Sequence, residues 1–284
     1  MKIAFISKKN STQILELQKK AEERGHVFDL VDLNDILISS LNSSDAISSL
    51  GKYDLIHYQA SVGHVMTPIL TEWLSTKNIP VVNNRYNLLP FFEDKRYQVF
   101  RCASAGITTP RTYLSATKEF EDIDRLLGTP FILKGAVSAQ GKHVFLINNK
   151  SEFDEVIEQC EKPLFQEYIP SRADYRVHRI GNDLPIIYKR CASGEDFRSN
   201  VSRGGTIEPI TDTDEREKLA SFARLASDAM EMEYGGIDIM KHPENEQLYF
   251  IESNRNPGWA QVNDLLGINT EDHILDFYEQ KIAA

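Results

Sequence analysis

The chain has 284 residues, of which 41% are hydrophobic and 26% charged, a composition typical of a globular protein that buries a core. Its formal net charge of −10 argues against a broad nucleic-acid-binding surface, although a local basic patch would still suit a small anion. The three cysteines are widely spaced and form no CxxC pair, which argues against a disulfide framework or a cysteine-based zinc site and favours a cytoplasmic location.

The first third of the chain alternates strand and helix patterns. It opens with KIAFIS at 2–7, whose apolar run is too short for a signal peptide and is typical of a first strand. No apolar run is long enough to span a membrane, so no membrane partner is expected. Further elements are expected as helix 11–24, strands 26–31 and 54–58, helix 67–78 and strand 79–82. This alternation predicts a parallel α/β domain over residues 1–90.

Beyond residue 90 the strands begin to follow one another more directly. A central unit over 91–170 is expected to hold helices 94–105, 117–127 and 151–160 and strands 111–114, 130–134, 143–147 and 163–167. A C-terminal unit over 171–284 is expected to hold strands 174–180 and 184–191, a strand pair within 236–254, and helices 212–231, 258–266 and 270–282. The turn Gly181-Asn182-Asp183 predicts a hairpin. The fold class is therefore α/β, with an α+β arrangement in the C-terminal part.

The strand pair within 236–254, GIDIMKHPENEQLYFIESN, places carboxylates in apolar strands. If the hairpin is centred on Asn245, Asp238 lies directly across from Glu252, with about 5 Å between their β-carbons, and Asn254 shares the face of Glu252. A cation would offset the repulsion between the carboxylates, and such oxygen ligands suit Mg²⁺ with nucleotide phosphates. The alternative interpretation is a solvated strand end with a chance acidic pair.

A glycine-containing loop follows the predicted strand 130–134. The strand ends in Lys134, and the spacing of Gly135 and Gly141 does not match a P-loop, because five residues separate them and His143 replaces the expected Ser or Thr. A strand–loop–strand unit can still cover phosphates with backbone N–H groups, while Lys134 adds a point charge. The alternative is an ordinary hairpin loop with an exposed lysine.

Basic residues concentrate between Arg172 and Arg203, where there are seven Lys or Arg and four Asp or Glu in an otherwise acidic chain. Three of these arginines are candidates to face an anion, namely Arg190, Arg198 and Arg203. The alternative is a solvated, charged hairpin, which is the usual explanation of such a run.

Taken in order along the chain, these stretches resemble the ATP-grasp ligases, and within them the RimK/LysX type. The matching segments, in the family's order, are EDK at 93–95, FILK at 131–134, AQGK at 139–142, QEYI at 166–169, EDFRSNVSRGG at 195–205, GIDIM at 236–240 and IESNRNPG at 251–258. The resemblance implies an ATP-grasp fold with an N-terminal parallel α/β pre-ATP-grasp domain.

The resemblance also implies roles for individual residues. The ATP phosphates would lie between Lys95 and Lys134, beneath the loop around Gly141. Adenine would meet the backbone at Glu167, Tyr168 and Ile169, and Asp174 would hold the ribose. The nucleotide and reaction centre would be lined by Arg198, Ser199 and Asn200, with Arg190, Arg198 and Asn200 in catalysis and Arg203 at the substrate. Asp238, Glu252 and Asn254 would hold two Mg²⁺ ions, with Mn²⁺ as a substitute.

The implied activity is ATP-dependent amide or peptide bond formation between a carboxylate substrate and an amine substrate, releasing ADP and phosphate through an acylphosphate. The amine could be an amino acid such as glutamate, and the acceptor a small molecule, a peptide or a protein terminus. Two alternatives remain, a glutathione-synthetase-like ligase and an ATP-binding module without catalysis. A homo-oligomer is compatible with each.

Arg255 departs from the family pattern, which usually has a small residue there; Ser253 likewise replaces a valine. Asn256-Pro257-Gly258 is expected to turn the chain, so the Arg255 side chain could enter the substrate pocket and bind a substrate carboxylate that is not activated. The alternative is a structural ion pair with a nearby acid such as Asp264.

Overall fold

A parallel three-stranded sheet forms the N-terminal unit. In this computed structural model, the described residues are 1–7, 11–32, 36, 50–59, 66–114, 119–136, 143–160, 162–193 and 205–283. The sheet has the order β2-β1-β3 and consists of β1 (Lys2–Ser7), β2 (Val27–Asp32) and β3 (Leu55–Tyr58). Strand β1 is buried beyond its first residue, which explains its continuous apolar run.

Helices cover this sheet. The helix α1 (Thr12–Glu23) buries Ile14, Leu17 and Ala21, which are spaced three and four residues apart on one face. The helix α2 (Met66–Thr76) packs on the other face of the sheet, where a second apolar core lies. The predicted strand at 79–82 is reduced to a single bridge between Ile56 and Val81. A five-residue helix α3 (Asn84–Leu88), which the sequence analysis did not predict, follows the bridge.

A four-stranded antiparallel sheet forms the second unit. Its strands are β4 (Thr112–Tyr113), β5 (Phe131–Gly135), β6 (Val144–Ile147) and β7 (Pro163–Glu167), in the order β4-β7-β5-β6. The helices beside it are α4 (Lys95–Ser104), α5 (Phe120–Leu127) and α6 (Lys150–Val156), the last followed by a 3₁₀ turn (Ile157–Gln159). Helices α5 and α6 pack on this sheet through a phenylalanine-rich core, whereas α4 packs elsewhere.

A five-stranded antiparallel sheet forms the third unit. Its order is β10-β9-β8-β11-β12, from β8 (Ala173–Ile180), β9 (Asp183–Cys191), β10 (Thr206–Pro209), β11 (Tyr234–Lys241) and β12 (Leu248–Asn254). The hairpin predicted at Gly181–Asp183 is confirmed, whereas β10 was not predicted. One face of this sheet packs its apolar side chains against α4 and the helix α7 (Thr213–Ala229).

The cores of the units continue across the predicted unit boundaries. The last two helices are α8 (Ala260–Leu266) and α9 (Thr270–Ala283), and α9 joins the core of the N-terminal sheet. Trp259, just before α8, is buried in that core, and its indole N–H donates to the Glu271 carboxylate over 2.7 Å. The segment around β12 is therefore held against both the N-terminal unit and α4. Within the described ranges, no helix is at once long and apolar enough to cross a membrane.

Candidate active site

The β11–β12 hairpin has the register predicted at its functional end. Asp238 pairs directly with Glu252, and Asn254 pairs with Gly236. Beyond Asp238 the register shifts, because a bulge lets Ile239 pair with Phe250. The position-by-position count from Asn245 is therefore confirmed beside the site and fails nearer the turn.

Polar side chains converge on the face of the third sheet opposite its apolar core. Strand alternation places Asp174 and Arg176 of β8 on this face, together with Arg190 of β9 and Asp238 of β11. Gly236 leaves room for this arrangement, because a β-carbon there would lie 3.4 Å from the Arg176 Cδ and 3.2 Å from Pro257. The sheet therefore separates an apolar interior from a charged surface.

Asp238 lies at the centre of a network of buried ion pairs. Arg176 donates from Nε to Asp238 Oδ1 and from Nη2 to Oδ2, each over 2.7 Å. Arg190 donates from Nη2 to the same Oδ2 over 2.7 Å and holds Asp174 through a second bidentate pair at 2.5 and 2.8 Å. Burial alone would raise the pKa of the Asp238 carboxyl, but the two arginines outweigh burial and hold that pKa well below its ordinary value. Asp238 is therefore ionised at neutral pH.

Two lysines approach the same face from other elements. Asp94 caps α4 by accepting the Arg96 backbone N–H, which places Lys95 at the start of that helix. The Lys95 Nζ lies 3.2 Å from Glu252 Oε2, and its backbone N–H donates to Ala136 O at the end of β5. These contacts join the second and third units beside the hairpin.

Lys134 is held from the central sheet. Its Nζ donates to Gln166 Oε1 over 2.7 Å. Burial lowers the pKa of Lys134 to about 8, and the neighbouring Lys95 charge adds to that lowering, while Glu252, Asp238 and Asp174 oppose it. An anion bound here would favour the charged amine and raise the pKa of Lys134 back toward its ordinary value.

The described part of the site contains more cations than carboxylates. Four cationic side chains, Lys95, Lys134, Arg176 and Arg190, surround three carboxylates, Asp174, Asp238 and Glu252. This excess of positive charge suits a phosphate group.

The arrangement fits a metal ion only if some contacts change. The oxygens of Asp238, Glu252 and Asn254 are hard ligands of the type that Mg²⁺ prefers. However, both Asp238 oxygens accept from arginines, Glu252 pairs with Lys95, and Asn254 Oδ1 accepts the Asn256 N–H over 2.9 Å. Among the described residues, no group of three or more His, Cys, Asp or Glu is arranged to hold a metal ion. In this structure, protein cations offset the opposed carboxylates, and the metal assignment stays a prediction.

The remaining predicted site residues fall into two groups. Glu167, at the end of β7, accepts from the backbone N–H and Nε of Arg111 over 2.8 and 2.7 Å, and Tyr168 and Ile169 lie in the connection from β7 to β8. Asp174 is bound to Arg190, as described above. The others lie outside the described residues, namely Gly141, Arg198, Ser199, Asn200 and Arg203.

Arg255 lies beneath the hairpin rather than on its charged face. Its guanidinium is buried over the Phe92 ring, 5.4 Å from the ring centroid. Its ion-pair partner is Glu93, at 3.8 Å, rather than the Asp264 named in the structural alternative, and its Nη1 donates to Asn87 Oδ1 over 3.4 Å.

Arg176, Gln166 and the contact between Arg255 and Glu93 were not predicted from the sequence. A signal for Arg176 was present, because residues two apart on a strand share a face and Asp174 was already a candidate. Gln166 and Glu93 stand in the segments QEYI and EDK, which carry the resemblance, but their contacts join segments far apart in the chain, so local spacing does not predict them.

The fold of the chain is the ATP-grasp fold. The solved structure of the ATP-grasp ligase PsnB, complexed with a phosphomimetic variant of its minimal precursor, Mg and ADP, superposes with a TM-score of 0.74 at 14% identity, covering 99% of this chain and 98% of that one. This likeness confirms the predicted fold.

A sequence profile of the RimK-like ATP-grasp domain matches residues 93–278, and the chain belongs to this family of ligases. A probable alpha-L-glutamate ligase of Mannheimia succiniciproducens is 27% identical over 288 residues, covering 94% of each chain. The ribosomal protein bS6–L-glutamate ligase of Salmonella schwarzengrund is 26% identical, covering 99% of this chain and 96% of the relative. The predicted family and enzyme class are confirmed.

In the absence of nucleotide and metal, replacing Asp238 with Asn should lower the free energy of unfolding of the protein. The variant would leave Arg176 and Arg190 buried without their shared counter-charge, and breaking such a pair costs about 3–5 kcal/mol. The free energy of unfolding from urea denaturation measures this effect.

Asp228→Asn is the matched control, because Asp228 pairs with Arg179 at an exposed position, with 56% of the acid side chain accessible. A surface pair contributes about 1 kcal/mol or less. An Asp238→Asn variant as stable as the wild type, or more stable, would contradict the expectation that the arginine contacts of Asp238 outweigh its repulsion with Glu252.

Proposed function

We propose that this ATP-grasp ligase activates a substrate carboxylate as an acylphosphate and transfers the acyl group to an amine, with release of ADP and phosphate. In the first step the carboxylate oxygen bonds to the γ-phosphorus as the bond to the β-phosphate oxygen breaks. In the second step the amine nitrogen bonds to the acyl carbon, phosphate leaves, and the amine loses a proton. The observation that carries the proposal is the paired Asp238 and Glu252 among four cationic side chains.

The amino-acid substrate is proposed to be acidic, with L-glutamate as the first candidate. Support comes from relatives that carry L-glutamate in their names and align over almost the whole chain. One of them also carries a ribosomal protein in its name, so a protein terminus is the first acceptor to examine, followed by a peptide and a small molecule.

For the nucleotide, we propose that Lys95 and Lys134 bind the phosphates and that the connection from Glu167 to Ile169 meets adenine. Asp174 is assigned to the ribose and also fixes Arg190. Gly141, Arg198, Ser199, Asn200 and Arg203 keep their predicted roles as proposals. No covalent enzyme nucleophile is required, since positioned cations can offset the charge that develops on the transferred phosphoryl group.

Metal binding is proposed to accompany an exchange of partners by the two arginines. Asp238 can offer oxygens to Mg²⁺ only after Arg176 and Arg190 release at least one of the contacts they make with it. A bound phosphate offers both guanidinium groups a bidentate alternative. Asp238, Glu252 and Asn254 would then hold two ions, for which Mn²⁺ is a substitute, and the metal would supply charge neutralisation at the phosphates.

The activity is tested by mass spectrometry of products formed from ATP, Mg²⁺, a panel of amino acids and candidate acceptors. We expect ADP and an amide whose mass equals that of the two substrates less one water. Glu252→Gln should keep the fold and lower the turnover rate by about a hundredfold or more, because a charge beside the metal is lost. The exposed-site variant Asp228→Asn should retain activity.

AMP as the nucleotide product would contradict the acylphosphate route. ATP binding without any product across the panel would favour the non-catalytic alternative, and a product requiring a thiol peptide would favour the glutathione-synthetase-like branch.

Lys134 should make nucleotide binding depend on pH. Because its pKa is lowered to about 8 in the free protein and phosphates favour the charged amine, nucleotide binding above that pH should take up a proton. Affinity for Mg-ADP should therefore fall as the pH rises above 8, by up to about tenfold per unit. Calorimetry at about pH 8.5 in two buffers of different ionisation enthalpy measures the uptake.

Lys134→Met should bind Mg-ADP more weakly and lose this proton uptake, whereas Lys134→Arg should lose the uptake but keep a charge for the phosphates. Lys150→Met, on the exposed surface of α6, should behave like the wild type. Undiminished proton uptake in Lys134→Met would assign the titration to another group.

A further inference from the structure

Strand β12, which carries Glu252 and Asn254, is the outer strand of the third sheet, so only one of its edges is paired with another strand. The N–H and C=O groups on the other edge need partners from elsewhere in the chain. The bulge between Asp238 and Ile239 also makes the pairing with β11 irregular beside Glu252. Pairing with β11 alone would therefore fix the Glu252 and Asn254 side chains only loosely.

The side-chain amide of Gln98, on α4, supplies partners for this edge. Its Oε1 accepts the Ser253 backbone N–H over 2.9 Å, and its Nε2 donates to the Ser253 carbonyl over 3.3 Å. The same Nε2 donates to Phe92 O over 2.8 Å, which sets the orientation of the amide. Only 2% of Gln98 is exposed, so water has little access to these bonds. One side chain therefore takes the place of a neighbouring strand at Ser253.

A second contact holds the same edge on the other side of Glu252. The Phe250 backbone N–H donates to the Thr108 carbonyl over 2.9 Å. The contacts at Phe250 and Ser253 therefore lie on either side of Glu252 and of the irregular pairing. Because side chains alternate along a strand, fixing the backbone at Ser253 also fixes the directions of Glu252 and Asn254, which lie on the opposite face from the Ser253 side chain.

The helix α4 connects this contact to other parts of the site. Gln98 lies one helical turn after Lys95, whose Nζ is 3.2 Å from Glu252 Oε2 and whose backbone N–H donates to Ala136 O at the end of β5. One helix therefore holds the backbone of β12 through Gln98 and faces its carboxylate through Lys95. Mg²⁺ requires ligand oxygens at about 2.1 Å in near-octahedral geometry, so a small displacement of this strand would weaken binding.

We propose that Gln98 is a positioning residue for the metal site, holding the strand between Glu252 and Asn254 so that both side chains are in place before a metal ion binds. The inference rests on the proposed function, in which Glu252 and Asn254 are metal ligands. Gln98 acts through the Ser253 backbone and does not itself bind the metal. Its effect is to arrange the ligands in advance, which lowers the conformational cost of binding.

The test uses Gln98→Met, which keeps the length of the side chain and removes its hydrogen bonds to Ser253. With ADP present, the affinity for Mn²⁺, measured by electron paramagnetic resonance of the free ion, should fall about tenfold or more, as when other groups that orient metal ligands are lost. The affinity for ADP in the presence of EDTA, measured by calorimetry, should stay unchanged, because Lys95 and Lys134 remain to bind the phosphates. A purely structural role for Gln98 does not predict this separation of the two affinities.

Tyr86→Phe is the matched control, because the buried Tyr86 hydroxyl donates to Phe92 O over 3.1 Å and lies 3.4 Å from the Ser253 Oγ rather than at the Ser253 backbone. That variant should lose thermal stability and keep the wild-type Mn²⁺ affinity. Wild-type Mn²⁺ affinity in folded Gln98→Met, or an equal loss of Mn²⁺ affinity in both variants, would overturn the proposal. A wild type that binds no Mn²⁺ with ADP would overturn the proposed metal site itself, whereas a loss of affinity confined to Gln98→Met would support the proposal even if no ligase product forms.

Hydrogen exchange of the wild type tests the proposal without any variant. In the protein free of nucleotide and metal, the Ser253 amide should exchange as slowly as the strand-paired amides of β11, because Gln98 already holds it. Exchange is followed at single amides by nuclear magnetic resonance. Rapid exchange of the Ser253 amide that slows only when Mn²⁺ and ADP are added would overturn the proposal, because the metal would then order the strand instead of Gln98.

Discussion

The ion pairs around Asp238 are the constraint on which the account of the site depends. A carboxylate buried in the middle of a sheet would be unstable alone, and it is retained because Arg176 and Arg190 hold it from the neighbouring strands. Arg190 also fixes Asp174, and Asp238 is paired in register with Glu252, which Lys95 approaches from another unit. In the free protein, these cationic side chains neutralise the carboxylates that metal ions are proposed to neutralise when nucleotide phosphates bind.

This arrangement explains how a face prepared for a highly charged ligand stays stable without it. Each acid is neutralised internally, so the free protein avoids the repulsion between Asp238 and Glu252. Binding then requires one set of charge-assisted contacts to replace another. The proposed exchange would tie metal binding to nucleotide binding, because the arginines would leave Asp238 more readily when phosphates can accept them.

Much of this site could be predicted from the sequence where local rules determine it. The pairing of Asp238 with Glu252 agrees with the count from Asn245, but the register beside the turn, where Lys241 pairs with Leu248, would by itself place Ile251 opposite Asp238. A bulge restores the predicted pairing. The bulge that shifts the pairing after Asp238 has no mark in the sequence. Arg176 was predictable by alternation from Asp174, although it was missed. By contrast, Arg255 meets Glu93 and Asn87 only because distant segments pack around the end of β12, and local pattern carries no information about such contacts.

Arg176 and Arg190 are proposed to compete with a metal ion for Asp238, and the affinity for Mn²⁺ without nucleotide measures this competition. Electron paramagnetic resonance of free Mn²⁺ gives the affinity for wild type, Arg176→Gln and the control Arg179→Gln. Arg179 lies on β8 like Arg176, but it pairs with Asp228 of α7, outside the site. The account predicts weak binding by the wild type and Arg179→Gln, and binding at least about tenfold tighter by Arg176→Gln, because one side of Asp238 is freed. Equal Mn²⁺ affinity in the wild type and Arg176→Gln, with the fold intact, would contradict it.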